Sequence, residues 1–166
     1  MVGHLGAYGW ASQHLNLNPG SGVQTGGCLH KSVITHEFLH SMGINHEQER
    51  PDRDDHVVIH WANIEDDKEH NFEKMSTGEW FDMSSPYDGQ SVMHYSATSF
   101  LTADASAAGL FAITSVTTGL GVQYPRVDRM SSEDCFQLQK MYEDYCPPLP
   151  FRTCDNGQKY LKNRAW

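Results

Sequence analysis

Residues 35–54 read THEFLHSMGINHEQERPDRD, a stretch that combines three histidines with several carboxylates. The segment around it, KSVITHEFLHSMG at 31–43, predicts a helix because no glycine or proline interrupts it before Gly43. His36 and His40 are four residues apart and so lie on one side of that helix, where both imidazoles can reach one metal ion. The alternative interpretation is a solvated helix face that is merely rich in histidine and glutamate.

The spacing continues past the second histidine as HEFLHSMGINH, residues 36–46, which is the pattern HExxHxxGxxH. Gly43 lets the chain leave the helix and turn back, and this turn brings His46 to a third metal position. Zinc prefers imidazole ligands and, when catalytic, keeps one position open for water. Glu37 directly follows the first histidine, so it points beside the metal and can act as a base toward that water. Because the pattern specifies five residue identities, it favours a catalytic zinc site over the solvated face.

This extended pattern is typical of the metzincin peptidases, which also have a methionine-containing turn beneath the metal. The segment SVMHYSATSF, residues 91–100, supplies Met93, with Tyr95 two residues later. Taken alone, Met93 indicates core packing and Tyr95 a phenol with an ordinary hydrogen-bond partner. Beside the zinc pattern, a methionine turn is the better interpretation of both residues.

The chain is long enough for one domain, with 166 residues of which 39% are apolar and 20% charged. Short strands are predicted at QHLNL (13–17), VVIHW (57–61) and FAITSV (111–116), and further helices at IEDDKEHNFEKM (64–75) and MSSEDCFQLQKMYEDYC (130–146). The last helix can be capped by Ser131 or Ser132. The side chains expected to face the core are Ile34, Phe38, Leu39 and Met42 on the first helix and Cys135, Leu138, Tyr142 and Tyr145 on the last.

The net charge and the cysteine content limit the classes of partner and the compartment that fit this chain. The formal net charge of -9 argues against nucleic acid or an anionic membrane surface as the main partner. No apolar run approaches the roughly 18 residues of a membrane helix. Four cysteines fit an oxidising compartment better than four buried thiols, and they allow three pairings: Cys28, Cys135, Cys146 and Cys154. No lysine or arginine occurs between Lys74 and Arg126, so residues 96–125, expected to form much of the substrate pocket, indicate no preference for an acidic residue.

Together these segments resemble the astacin metallopeptidases. The resemblance rests on HEFLHSMGINHEQERPDRD, EHNFEKM, SPYDGQSVMHY and MSSEDCFQLQKMYEDYC, and it covers about residues 3–146. It implies an α+β, zincin-like fold with a cleft between two subdomains. It also implies a secreted, zinc-dependent endopeptidase that hydrolyses internal bonds of protein or peptide substrates without a covalent intermediate.

The same resemblance implies the roles of the site residues. One zinc ion would be held by three imidazoles, those of His36, His40 and His46. Glu37 would be the general base. Tyr95 would be a displaceable ligand that swings to hydrogen-bond the oxyanion, a role that also has a physical basis, since a phenol can stabilise charge that appears only in the transition state.

The chain departs from the family pattern at its N-terminus. Only about 35 residues precede His36, fewer than the helix and strands that open the family's upper subdomain. We therefore expect an N-terminally shortened peptidase domain at 1–146, a proline-containing tail at 147–166, and another chain or segment that completes the upper subdomain. The shortening also favours an alternative function, a catalytically impaired, zinc-stabilised binding module or fragment. Glu47 contacts a new N-terminus in the family, and here we expect it to have a different partner.

Overall fold

A computed structural model describes residues 31–78, 80, 84–122 and 130–143. The helices in this part are α1 (Lys31–Ser41), α2 (Ala103–Ala107) and α3 (Ser132–Met141), and the strands are β1 (Val57–Ile59) and β2 (Ile113–Ser115). Short 3-10 turns connect them at Glu47–Glu49, Arg53–Asp55, Trp61–Asn63 and Glu69–Phe72. The strand predicted at 13–17, the expected shortening of the upper subdomain and the tail lie outside the described residues.

The two strands pair antiparallel with one side facing a core. Val57 lies opposite Ser115 and Ile59 opposite Ile113. Along β1 the side chains of Val57 and Ile59 are buried while Val58 is exposed, the period-2 alternation of a strand covered on one face. This confirms the strands predicted within 57–61 and 111–116. The core cluster on this side consists of Val57, Ile59, Ile64, Phe72, Ala112, Ile113 and Val122.

A second core cluster lies between α1 and α3. Its buried residues are Leu39, Ile44, Val92 and Met93, and partly buried Met42, Trp80, Met130, Leu138 and Met141 pack against it. Met93 is fully buried in this cluster with Leu39 of α1, so the methionine of segment 91–100 is a core residue. The first helix is therefore anchored by Leu39 and Met42, as its apolar spacing predicts.

The prediction that Phe38 faces this core was wrong. Its side chain is 52% exposed, whereas the next residue, Leu39, is fully buried. Successive residues of an α-helix are rotated by about 100°, so only a narrow stripe can meet the cluster beneath α1. Leu39 occupies that stripe, and Phe38 points to one side of it.

Helix α3 begins where the sequence predicts. The Ser131 side chain accepts a hydrogen bond from the Asp134 N–H at 2.9 Å, and the Asp134 carboxylate accepts one from the Ser131 N–H at 2.9 Å, which forms a capping box. Of the predicted apolar stripe, Leu138 packs on the second cluster and Cys135 is disulfide-bonded. The deeply buried α3 side chains, however, are polar, namely Asp134 and Gln137.

The helix predicted at 64–75 was also wrong. This segment contains only the short turn Glu69–Phe72. Its backbone groups have tertiary partners: the Glu65 N–H donates to Phe100 O at 3.0 Å, and the Met75 N–H donates to Glu49 O at 2.8 Å. Because these bonds satisfy the ends of the segment, a continuous helical ladder is not needed to satisfy its backbone. In the described part of the chain, no helix has the length and apolar character to cross a membrane.

Candidate metal centre

Three imidazoles meet at the C-terminal half of α1. His36 and His40 project from the helix itself. Gly43, with φ of +90°, reverses the chain in a left-handed conformation that favours glycine, and His46 returns toward the helix. One ring nitrogen from each histidine lies within 4.8 Å of the others, and the Nε2 atoms of His40 and His46 are 3.0 Å apart. The structure thus brings together all three histidines of the HExxHxxGxxH pattern.

The outward nitrogens of these rings determine their tautomers. His36 Nδ1 lies 2.8 Å from Val92 O, and His40 Nδ1 lies 2.9 Å from Ile44 O. Carbonyl oxygens can only accept, so both Nδ1 atoms carry the proton and both Nε2 atoms present a lone pair. His46 Nδ1 is buried and lies 3.4 Å from a Glu49 carboxylate oxygen, without a hydrogen-bond partner among the described residues.

The tautomers of His36 and His40 therefore leave their Nε2 lone pairs available, and with a ring nitrogen of His46 they form a three-imidazole donor set that zinc accepts. Imidazole ligands of metals are typically held in this way, through Nδ1–H bonds to carbonyl or carboxylate oxygens. Burial lowers the pKa of His36, against the opposing hydrogen bond to Val92, which keeps this ring neutral and able to donate its lone pair. The residues present thus fit a zinc ion.

A cleft of about 600 Å³ opens beside this centre. The cleft is lined by His36, Glu37 and Tyr95, by Val33 and Val122, and by the residues from Ser96 to Ser99. The wall carries a hydroxyl cluster in which Ser96 Oγ lies 3.1 Å from Ser99 Oγ and 3.3 Å from Thr98 Oγ1. No lysine or arginine is among these lining residues, so the described part of the cleft has no cation for an acidic substrate side chain.

Comparison with known proteins shows which family the chain belongs to. The family model described as Astacin, a family of peptidases, matches residues 12–143. The chain belongs to the astacin family. Low choriolytic enzyme from Oryzias latipes is 37% identical over 121 residues, which are 73% of this chain and 41% of that protein. Meprin A subunit alpha from Rattus norvegicus is 46% identical over 88 residues, which are 53% of this chain and 11% of that protein.

A solved structure shows the same fold. High choriolytic enzyme 1, a hatching enzyme zinc-protease from Oryzias latipes, is 34% identical with a TM-score of 0.66, over 79% of this chain and 58% of that one. The predicted metzincin α+β fold of the astacin family is therefore confirmed. The chain spans less than two thirds of the length of each of these relatives.

Tyr95 lies next to the histidines of this astacin-family centre. Its ring is 4.6 Å from that of His46, and its backbone N–H donates to Gln48 Oε1 at 3.1 Å. Burial raises the pKa of the Tyr95 phenol from its ordinary 10 to about 12. Gln48 is fully buried. Its only indication in the sequence was its position two residues after His46.

His94 is a buried residue that the sequence patterns did not single out. Its Nδ1 donates to Tyr95 O at 2.6 Å, and its Nε2 accepts from the Tyr87 hydroxyl at 2.6 Å. Burial lowers the pKa of His94 to about 4, so the ring is neutral in the fold. The signal that could have revealed it is its position between Met93 and Tyr95, inside the methionine turn.

Glu47 lies beneath the centre in a buried polar network. One carboxylate oxygen accepts from Arg50 at 3.1 Å and from the Asp88 N–H at 2.8 Å, and the other accepts from Gln137 at 3.3 Å. Burial raises the pKa of Glu47 to about 7, against the opposing effect of Arg50. The Glu47 N–H also donates to Met93 O at 3.2 Å. Within the described ranges, Glu47 therefore has side-chain and backbone partners of its own.

Proposed function

We propose that this chain carries the active site of a zinc-dependent endopeptidase that hydrolyses internal peptide bonds of protein or peptide substrates. The observation that carries the proposal is the convergence of one ring nitrogen from each of three histidines at the edge of a cleft that Glu37 and Tyr95 also line. The alternative, a zinc-stabilised binding module, gives no reason for a carboxylate beside the metal position.

The ligands of one catalytic zinc ion would be His36, His40 and His46. When bound, zinc acts as a Lewis acid and lowers the pKa of a water ligand from 15.7 to about 7. The chain's own contribution is to hold the His36 and His40 rings with their lone pairs inward, through the carbonyl oxygens of Val92 and Ile44.

Glu37 is the proposed general base. It follows His36 on α1 and is partly buried at the cleft wall, where it can hydrogen-bond a nucleophilic water that sits in front of the histidines. It takes a proton from that water during attack on the scissile carbonyl and then gives a proton to the departing amine nitrogen. No side chain of the cleft needs to form a bond to the substrate.

Tyr95 is the proposed stabiliser of the developing negative charge on the carbonyl oxygen. A tyrosine hydroxyl is protonated at neutral pH, and burial raises the pKa of this one further, to about 12. A phenol O–H that meets the oxygen only as charge develops stabilises the transition state more than the substrate. The bond from the Tyr95 N–H to Gln48 fixes the backbone from which this side chain reaches the cleft.

We further propose that the chain acts outside the cell and does not prefer an acidic residue beyond the scissile bond. The disulfide at Cys135 supports an oxidising compartment. The hydroxyl cluster of Ser96, Thr98 and Ser99, with no lysine or arginine in the described lining, supports a neutral subsite. The net charge of -9 supports protein rather than nucleic acid as the substrate.

The test is cleavage of denatured casein by the full chain with phenanthroline, and with its non-chelating isomer as the matched control. We expect the chelator alone to stop cleavage and stoichiometric zinc to restore it. Cleavage that persists after the zinc has been removed would refute the metal mechanism. A folded, zinc-loaded chain that cleaves nothing would refute the endopeptidase proposal in favour of the binding module.

A further inference from the structure

Asp134, in the first turn of α3, is buried more completely than a helix cap requires. Its side chain is only 1% exposed. One carboxylate oxygen accepts from Ser91 Oγ at 2.5 Å, and the other accepts from the N–H groups of Val92 at 3.0 Å and Ser131 at 2.9 Å. The bond to Ser131 belongs to the capping box, whereas the bonds to Ser91 and Val92 leave α3 and reach segment 91–95.

Segment 91–95 in turn contacts the metal centre. Ser91 Oγ, held by Asp134, also accepts from the Met93 N–H at 2.9 Å. Val92 is held by the carboxylate at its N–H, and its own carbonyl accepts the Nδ1–H bond of His36 at 2.8 Å. A continuous path of hydrogen bonds therefore joins the Asp134 carboxylate to the first histidine through the backbone of Val92.

We propose that Asp134 is a positioning residue of the metal centre, which holds Val92 so that its carbonyl keeps the His36 ring with Nε2 turned inward. This inference rests on the proposed zinc site and adds to it a residue 98 positions away in the chain. Without the carboxylate, the Val92 N–H loses its 3.0 Å bond to Asp134, and the Val92 carbonyl that holds His36 is positioned less firmly. The His36 ring then samples orientations in which its lone pair no longer faces the other two.

The burial of Asp134 also supports this role. A carboxylate that is buried against three hydrogen-bond donors is held firmly, because moving the carboxylate would break its bonds to those donors.

The test compares Asp134→Ala with Ser131→Ala in the full chain. Each variant removes one half of the capping box, so both weaken the start of α3, but only the first removes the contact with Val92. The readouts are the zinc dissociation constant, measured by competition with a chromophoric chelator, and the His36 tautomer in the zinc-free chain, measured by long-range ¹H–¹⁵N NMR. Glu133→Gln, in the same helical turn, controls for the loss of one negative charge.

We expect Asp134→Ala to bind zinc about tenfold more weakly, at the lower end of the range for residues that orient metal ligands, because it acts through Val92. We also expect mixed His36 tautomers in this variant, and near-wild-type values in Ser131→Ala and Glu133→Gln. Equal zinc affinity in Asp134→Ala and Ser131→Ala would overturn the proposal and leave Asp134 as a helix cap alone. If the wild-type chain itself binds no zinc, the proposed function has failed rather than this inference.

Asp134→Asn replaces Asp134→Ala if the latter does not fold. Its amide oxygen still accepts bonds from Val92 and Ser131, but without the negative charge. Since neutral hydrogen bonds are roughly half as strong as charged ones, we expect zinc affinity to fall about threefold. An affinity equal to that of Glu133→Gln would overturn the proposal in this case too.

Discussion

The buried imidazole of His94 predicts a specific acid sensitivity of the fold. Its ordinary pKa near 6.5 applies to the unfolded chain, whereas burial lowers the pKa to about 4 in the fold. Below pH 6.5 the unfolded chain therefore binds a proton that the folded chain excludes, and stability is lost as the pH falls from 6.5 toward 4. The asparagine variant His94→Asn has no titrating ring and keeps an N–H near the place of Nδ1, so it should lack this loss.

The size of the effect follows from the two pKa values. If His94 is fully protonated in the unfolded chain and neutral in the fold, the free energy of unfolding falls by about 3 kcal/mol. About 2 kcal/mol of this loss occurs between about pH 7.5 and about pH 5. Glu47 acts in the opposite sense, because its pKa of about 7 lies above the ordinary 4.5 and its contribution to stability is lost as the pH rises through 7. The two effects partly cancel in the wild-type chain, so only a comparison between chains isolates His94.

The assay is urea unfolding of the zinc-free chain, wild type and His94→Asn, at about pH 7.5 and about pH 5. Glu47 and the three site histidines are present in both chains, so their effects cancel when the two losses in the free energy of unfolding are subtracted. The wild-type chain should lose about 2 kcal/mol more than the variant over this pH range. Equal losses in the two chains would refute the reasoning, because they would mean that His94 is protonated as easily in the fold as outside it.

Three further substitutions test the site and its supports. Tyr95→Phe should lower kcat on casein-derived peptides about 10²-fold with KM little changed, since the hydroxyl acts only in the transition state; a change confined to KM would contradict that role. Gly43→Ala should cost about 1–2 kcal/mol in urea unfolding because its φ is +90°, and a stability equal to wild type would show that the turn before His46 is not strained by a side chain. Gly121→Ala should cost about 1–3 kcal/mol in the same assay, since its Cβ would lie 2.8 Å from the Phe111 ring and 2.9 Å from Ala97 Cβ; no loss would mean that this wall of the core is loosely packed.

The parts of the fold that local patterns specify could be predicted from the sequence. Helix α1 follows from an uninterrupted helical segment that ends at Gly43, and the start of α3 follows from the Ser131 cap. The convergence of the three histidines follows from the same spacing, because a helix places His36 above His40 and a left-handed glycine reverses the chain before His46. These relations involve residues within about ten positions of one another.

The parts that depend on distant partners could not be predicted in the same way. The helix expected at 64–75 is replaced by backbone bonds to Glu49 and Phe100, which no local pattern reveals. An acidic residue in the first turn of a helix, such as Asp134, is usually exposed. The Asp134 carboxylate is instead buried against Ser91 and Val92. A buried polar side chain is specified by donors and acceptors that other segments bring to it, so its burial becomes visible only when the fold is known.

The most direct test of the account is the rate at which zinc-loaded Glu37→Gln cleaves an internally quenched peptide, relative to zinc-loaded wild type. Zinc content is measured in the same samples, and Glu73→Gln, an exposed carboxylate outside the cleft lining, is the matched control. The account predicts that all three chains hold about one zinc and that only Glu37→Gln loses cleavage, by about 10²–10⁴-fold or more. A zinc-loaded Glu37→Gln chain that cleaves at the wild-type rate would contradict it.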